Sequence, residues 1–249
     1  MQASRTAVAA AAALGVLTAG WTTTAAAQSE GLRGVFGAGA GPKYPPVARF
    51  EAAQGRRFVF DRSNGVILLK FDDHPEIWVL RPKTGPRGDT LYVNDVGQPV
   101  VRMTMRGGLT LFTPDRPTGA PVAFTAKADP LKPRRLSPGA LLQHLAQASS
   151  KASKAARRLL PFAAPEVSPG AEVLLADAAY VAADGVAAAA ATPAGRVRLS
   201  RLKEVRFTEG VQPSVRVQGL ALEVVIAPGR GMAGRPSSRR AAQAILEGR

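Results

Sequence analysis

Residues 58–80 read FVFDRSNGVILLKFDDHPEIWVL, and this stretch decides the fold. Three short runs of β-branched, aromatic and aliphatic residues (Phe58–Phe60, Val66–Leu69, Ile77–Leu80) are separated by Ser63-Asn64-Gly65 and by Asp72-Asp73-His74-Pro75. Asn-Gly between two apolar runs is the strongest short hairpin signal, because its residues accept the positive φ that a tight turn demands. The pattern continues downstream. Leu91–Val93, Val100–Met103 and Leu109–Phe112 follow at similar spacing, punctuated by Gly85-Pro86-Arg87-Gly88-Asp89, Asn94-Asp95-Val96-Gly97 and Gly107-Gly108. Six strands so spaced predict an antiparallel β-meander over 47–126, curled or barrel-like. Several runs alternate only partly, so other parts of the chain should cover one face.

Helices supply that cover. Ser137-Pro138-Gly139-Ala140 recurs as Ser168-Pro169-Gly170-Ala171. In both, Ser suits the N-cap and Pro the first helical position, where its missing N–H costs nothing. Leu141, Leu145, Ala148, Ala152, Ala155 and Leu159 then make one apolar seam, and Val173, Leu174, Ala178, Val181, Ala182 and Val186 a second. A helical hairpin is expected, with arms at 137–160 and 168–191. Thr192-Pro193 starts a short helix, and strands follow at Glu204–Thr208, Val215–Val217 and Leu220–Ile226. The fold class is therefore α+β: a meander with a helical hairpin packed on it and C-terminal strands completing the sheet. Residues 47–226 form a single domain on this reading. Residues 227–249 read as a basic, flexible tail with a short terminal helix.

The N-terminus has the order of a secretory signal peptide: Arg5, an apolar run over 6–20, then small residues to Ala27. Cleavage after Ala27 is expected, followed by a flexible Gly/Pro-rich leader over 28–46. The chain has no cysteine, so neither a disulfide nor a lipid-bearing cysteine is available. Export without cysteine points to a bacterial periplasm or the medium. The most apolar later stretch, 171–192, carries Glu172, Asp177 and Asp184, and an acid at the bilayer centre costs roughly 3 kcal/mol. No membrane span is expected after cleavage.

The formal charge of the whole chain is +15. Residues 161–192 hold Glu166, Glu172, Asp177 and Asp184 and no basic group, whereas the first helical arm carries Lys151, Lys154, Arg157 and Arg158. The helices can offset each other in part. The excess in 127–135, including Arg134 and Arg135, in 193–206 and in 230–240 sets up a field attractive to polyanions. Arg134, Arg135, Lys151, Lys154, Arg157 and Arg158 are thus the candidate anion-binding residues. Aromatics are scarce around these clusters, so nucleic acid is not expected. The expected partner is an anionic envelope surface (lipopolysaccharide or anionic lipid) or an acidic protein.

For chemistry the densest cluster is Asp72-Asp73-His74-Pro75-Glu76, and Asp and Pro there are also ordinary turn formers. Asp72, Asp73, His74 and Asp89 are the candidate catalytic residues. They would serve a hydrolase of envelope polymers if the carboxylates, Asp61, Glu76 and Asp95 among them, met in space. No serine-hydrolase elbow, His-Glu-x-x-His pair, phosphate loop or dinucleotide fingerprint occurs. With two histidines, at 74 and 144, and no cysteine, no zinc site and no cofactor is expected. The Arg87-Gly88-Asp89 tripeptide reads as a strand connection. The preferred function is a non-enzymatic envelope protein that binds anionic surfaces or a protein partner.

Residues 60–114, above all GPRGDTLYVND and GGLTLFTP, resemble a family of exported alphaproteobacterial proteins catalogued as a domain of unknown function. A looser likeness runs on to about Ile226. The resemblance implies export and brings no catalytic residues with it.

Overall fold

The computed structural model describes residues 44–132 and 136–248. Eight strands run β1 (Val47–Ala52), β2 (Arg57–Asp61), β3 (Ile67–Phe71), β4 (Ile77–Thr84), β5 (Thr90–Val93), β6 (Pro99–Met103), β7 (Leu109–Thr113) and β8 (Arg116–Lys127). Each pairs antiparallel with the next, and β8 returns to β1, closing a barrel. An eight-stranded barrel is just wide enough for side chains to fill. Phe50, Phe58, Phe60, Leu69, Phe71, Leu80, Tyr92, Val101, Met103, Leu109 and Leu111 fill this one. Phe60 meets Tyr92 edge-on at 5.0 Å and Phe71 meets Trp78 edge-on at 5.5 Å.

All six expected strands are present. Two more, β1 and β8, close the barrel. β8 carries Pro117, Gly119 and Pro121, which argue against a strand. The register resolves this: Arg116, Ala120 and Pro121 pair in register with β7, Val122 lies between Leu109 of β7 and Ala52 of β1, and the rest of β8 follows β1. Pro117 therefore sits where one side of the strand has no partner, and Pro121 sits where β1 joins, meeting it only through its carbonyl, which accepts the Ala53 N–H at 3.3 Å. At Gly119 (φ +87°) a Cβ would stand 2.5 Å from Thr110 Cγ2, so glycine lets the strand pass.

A second layer follows: α1 (Pro138–Ala156), β9 (Phe162–Ala163), α2 (Glu172–Ala190), α3 (Pro193–Leu199), β10 (Glu204–Glu209), β11 (Ser214–Gln218), β12 (Ala221–Ile226) and α4 (Ser238–Glu247). The mixed α and β content and the barrel-like meander are as expected, with the helices and C-terminal strands in the anticipated order. One detail is corrected. The C-terminal strands do not complete the meander, which has no free edge once β8 meets β1. They form their own sheet in the order β11-β12-β10-β9, with β10 parallel to both neighbours. The apolar side of the hairpin covers this sheet in a second core that includes Leu175, Ala179, Val186, Phe207, Leu222, Val224 and Ile245. The hairpin meets the barrel through polar groups at the β3–β4 turn.

α2 is long and apolar enough to cross a membrane, but its apolar side chains are spent inside this core. Its small residues admit α4 closely: a Cβ on Gly185 would lie 2.5 Å from Ala241 Cβ. α2 starts later than Ser168 implies. Ala171 is its N-cap, and Ser168 instead gives its N–H and hydroxyl to Glu209 (2.6 and 2.7 Å). Thr192 caps α3 as expected, accepting from Gly195 N–H at 3.0 Å.

The tail expected to be flexible over 227–249 is packed as far as residue 248. A 3₁₀ segment, Pro228–Gly234, leads to buried Arg235, and Ala241, Ala244 and Ile245 of α4 are buried beside α2. Their spacing puts them on one helical face, which is what holds the segment down. The expected signal peptide over 1–27 and the expected leader up to residue 43 lie outside the described residues. Of the leader's end, Tyr44 packs on Phe50 at 5.2 Å.

Candidate functional site

The acidic candidates do not converge. Asp72 pairs with Arg49, Asp73 with Arg56 at 3.3 Å, and Asp89 with Arg102 at 2.5 Å. Asp61 is buried and accepts from Ser63 and from the Leu131 N–H at 2.8 Å. His74 Nδ1 accepts the Glu76 N–H at 3.3 Å, and its Nε2 stands 3.7 Å from Asp184 Oδ2, beyond hydrogen-bond distance and away from Asp72, Asp73 and Asp89, which are engaged elsewhere. Among the described residues no group of three or more His, Asp or Glu could hold a metal ion.

The basic candidates part ways. Arg134 and Arg135 lie outside the described residues. Lys151 is taken: it ion-pairs with Asp184 and reaches Tyr180 Oη at 3.4 Å. Burial disfavours its charge, but the contacts with Asp184 and Tyr180 together outweigh this and hold its pKa above the ordinary lysine value. Lys154, Arg157 and Arg158 remain exposed at the C-terminal end of α1. Of the cations of 230–240, Arg235 is buried and Arg239 half-buried, while Arg230 and Arg240 are exposed, Arg240 donating to Asp95 O at 3.1 Å.

What the fold adds is a second basic group beside the first. α1 runs into β9 and α3 runs into β10, and β9 and β10 are parallel neighbours, so both helices end at the same edge of the sheet. Arg158 donates across the gap to Ser200 O, whose hydroxyl donates to Val197 O at 2.8 Å. The Lys203 N–H donates to Leu220 O at 2.7 Å, bringing in the β11–β12 turn. Lys154, Arg157, Arg158, Arg201 and Lys203 thus share one end of the layer, and none of the five makes an ion pair among the described residues. Between them stand three exposed apolar side chains: Leu159 at 77%, Val197 at 59% and Leu220 at 49%. Arg157 holds its place at a conformational cost, being left-handed (φ +55°) at the helix C-cap where glycine is preferred.

A family model described as a domain of unknown function, DUF4908, matches residues 33–245. The chain belongs to the DUF4908 family. The match spans the barrel and the second layer, well beyond the run at 60–114 that carries the sequence resemblance, so the DUF4908 unit includes both cores. No curated protein and no solved structure matches the chain.

The two DUF4908 cores are joined by a buried polar knot. Arg235 pairs with Asp177, faces Glu76 Oε1 at 3.7 Å, and donates to Ile77 O at 2.7 Å. Glu76 accepts the N–H and hydroxyl of Ser238 at 3.1 and 2.6 Å, and Asp95 does the same for Ser237 at 2.8 and 2.5 Å. Acids of two barrel turns thereby satisfy the first N–H groups of α4, where the helix dipole favours negative charge. Burial nonetheless keeps the Glu76 pKa above the ordinary carboxylate value, against the pull of Arg235 and Ser238. Sequence placed Glu76 in a turn. That it is a structural acid with a partner 159 positions away was not readable.

Proposed function

We propose that this is an exported, non-enzymatic protein that binds a phosphate-bearing anionic surface through the basic end of its second layer. The observation that carries the reading is the union of five cations, none ion-paired among the described residues, with Leu159, Val197 and Leu220 at one sheet edge. Exposed apolar tips ringed by Lys and Arg suit an interface where headgroup phosphates meet hydrocarbon. Each such cation contributes about 1 kcal/mol near an anionic leaflet. The envelope, with anionic lipid or lipopolysaccharide, offers this chemistry, and the signal-peptide pattern over 1–27 supports that destination. The hydrolase alternative gains nothing from Asp72 and Asp89, each of which is held in its own ion pair.

The test is co-sedimentation with vesicles containing 30 mol% phosphatidylglycerol, and separately with lipopolysaccharide micelles. Replacing Arg157, Arg158 and Arg201 together by Gln should remove about 3 kcal/mol, roughly a hundredfold in affinity. Binding should also fall as salt rises. Undiminished vesicle and micelle binding by the triple variant sinks the proposal. Failure of the unaltered protein to bind either one sinks it equally, and leaves an acidic protein partner as the reading to pursue.

A further inference from the structure

The odd-to-even turns at one end of the barrel (53–56, 72–76, 94–98 and 114–115) form a mouth, and the start of α4 lies across it. Between the β5–β6 and β7–β8 turns this arrangement leaves a cavity of about 320 Å³. Its walls are Pro99, Val100, Phe112, Pro114 and Pro117, with Asn94, Gln98, Thr113 and Arg239 as the polar lining. The pocket is half-open, with Gln98, Pro99, Pro114 and Pro117 at the surface, and its three prolines and one ring give it a stiff, partly apolar wall that needs little ordering on binding.

Arg239 is the unusual member. Its guanidinium lies over the Trp78 ring at 5.0 Å and gives Nη1 to Gln98 Oε1 at 2.6 Å. Nε and Nη2 have no acceptor, and Arg239 makes no ion pair among the described residues. The nearby charges do not fill the vacancy: Glu76 is engaged by Ser238 and Arg235, and Arg56 repels. Burial accordingly weakens the hold of Arg239 on its proton. Asn94 in the same lining is buried and commits Oδ1 to the N–H groups of Val96 (3.2 Å) and Gln98 (2.8 Å), leaving Nδ2 unpartnered.

We infer that this cavity is a binding site for a small monocarboxylate with an apolar body. The free Nε–Nη2 edge of Arg239 is the face of a guanidinium that matches the two oxygens of one carboxylate. Phe112 and the prolines would receive the body of the ligand. The site lies at the barrel mouth, among residues that take no part in the basic sheet edge, so the two readings stand or fall separately.

The test uses benzoate and hexanoate as probes, with benzamide as the neutral control, read by ligand-observed NMR and by fluorescence of Trp78 beneath Arg239. Both acids should saturate at millimolar concentration or below, and benzamide should bind at least tenfold more weakly. Arg239→Gln should weaken the acids at least tenfold. Arg239→Lys keeps the charge but loses the two-pronged edge, and should weaken them several-fold. Lys83→Gln, at an exposed cation of β4 outside the cavity lining, should leave them unchanged. Absence of saturable binding by the unaltered protein overturns the inference. So does equal affinity for benzamide, or acid binding that survives both changes at Arg239.

Discussion

Replacing Arg235 by Met should expose how the two cores are tied together. The side chain of Arg235 is 1% exposed and that of Glu76 likewise, while that of Asp177 is 27% exposed. Removing one partner from a buried ion pair costs about 3–5 kcal/mol, because the remaining charge is stranded. Asp177 can turn to water, so the lower figure, about 3 kcal/mol at pH 7, is expected. For a chain of this size that is about 6–12 °C in Tm. The loss must depend on pH in a defined direction. Glu76 has a folded pKa raised above its ordinary value of 4.5, so the folded state holds that proton more tightly than the unfolded chain does. Its stabilising contribution is complete below the unfolded pKa and is lost as pH rises through the folded one. Without Arg235 the raised value climbs further, and near pH 4 Glu76 is neutral. The penalty there should shrink to about 1 kcal/mol, the cost of leaving Ile77 O unpaired. Urea melts at pH 4 and pH 7 for the unaltered protein, Arg235→Met and Arg235→Met/Glu76→Gln supply the measurement. The double variant should lose only the smaller amount, at both pH values. A loss at pH 7 below about 1 kcal/mol, or one that is equal at the two pH values, would falsify the account of Glu76 as a stranded charge.

Two further outcomes test the packing. Arg157→Gly should raise stability by about 0.5–1 kcal/mol, since glycine adopts the left-handed C-cap freely, while weakening binding to anionic vesicles; lower stability in the same urea melts would show that the cap is not strained. Gly185→Ala should lower stability by about 1–2 kcal/mol despite the better helix propensity of alanine. The new methyl would meet Ala241 Cβ at 2.5 Å and Ser238 O at 2.8 Å, and an unchanged Tm would refute the close approach of α4 to α2.

What could be read from the sequence was what neighbours along the chain decide. The apolar runs of β2, β3 and β4, the Asn64-Gly65 turn and the Thr192-Pro193 cap depend on a few consecutive residues, and the structure places these elements where the local chemistry puts them. β8 was missed because its prolines are disqualifying only when a partner lies on both sides, and β1 pairs only from Val122 onward. The terminal segment looked loose because it is Gly-rich and basic, yet α4 is held by Ala241 and Ile245 against α2 and by Glu76 and Asp95 against its first turn.

The sequence by itself determined a cysteine-free α+β chain with a meander, a helical hairpin and a surplus of positive charge. Tertiary structure alone decided which charges are free. Lys151 and Arg235 looked no different in sequence from Arg157 and Arg201, but the first two meet Asp184 and Asp177 and the others make no ion pair among the described residues. The reason is range. Turns and helix caps are settled by backbone groups a few residues apart, whereas the availability of a charge depends on what folding brings within about 4 Å from anywhere in the chain.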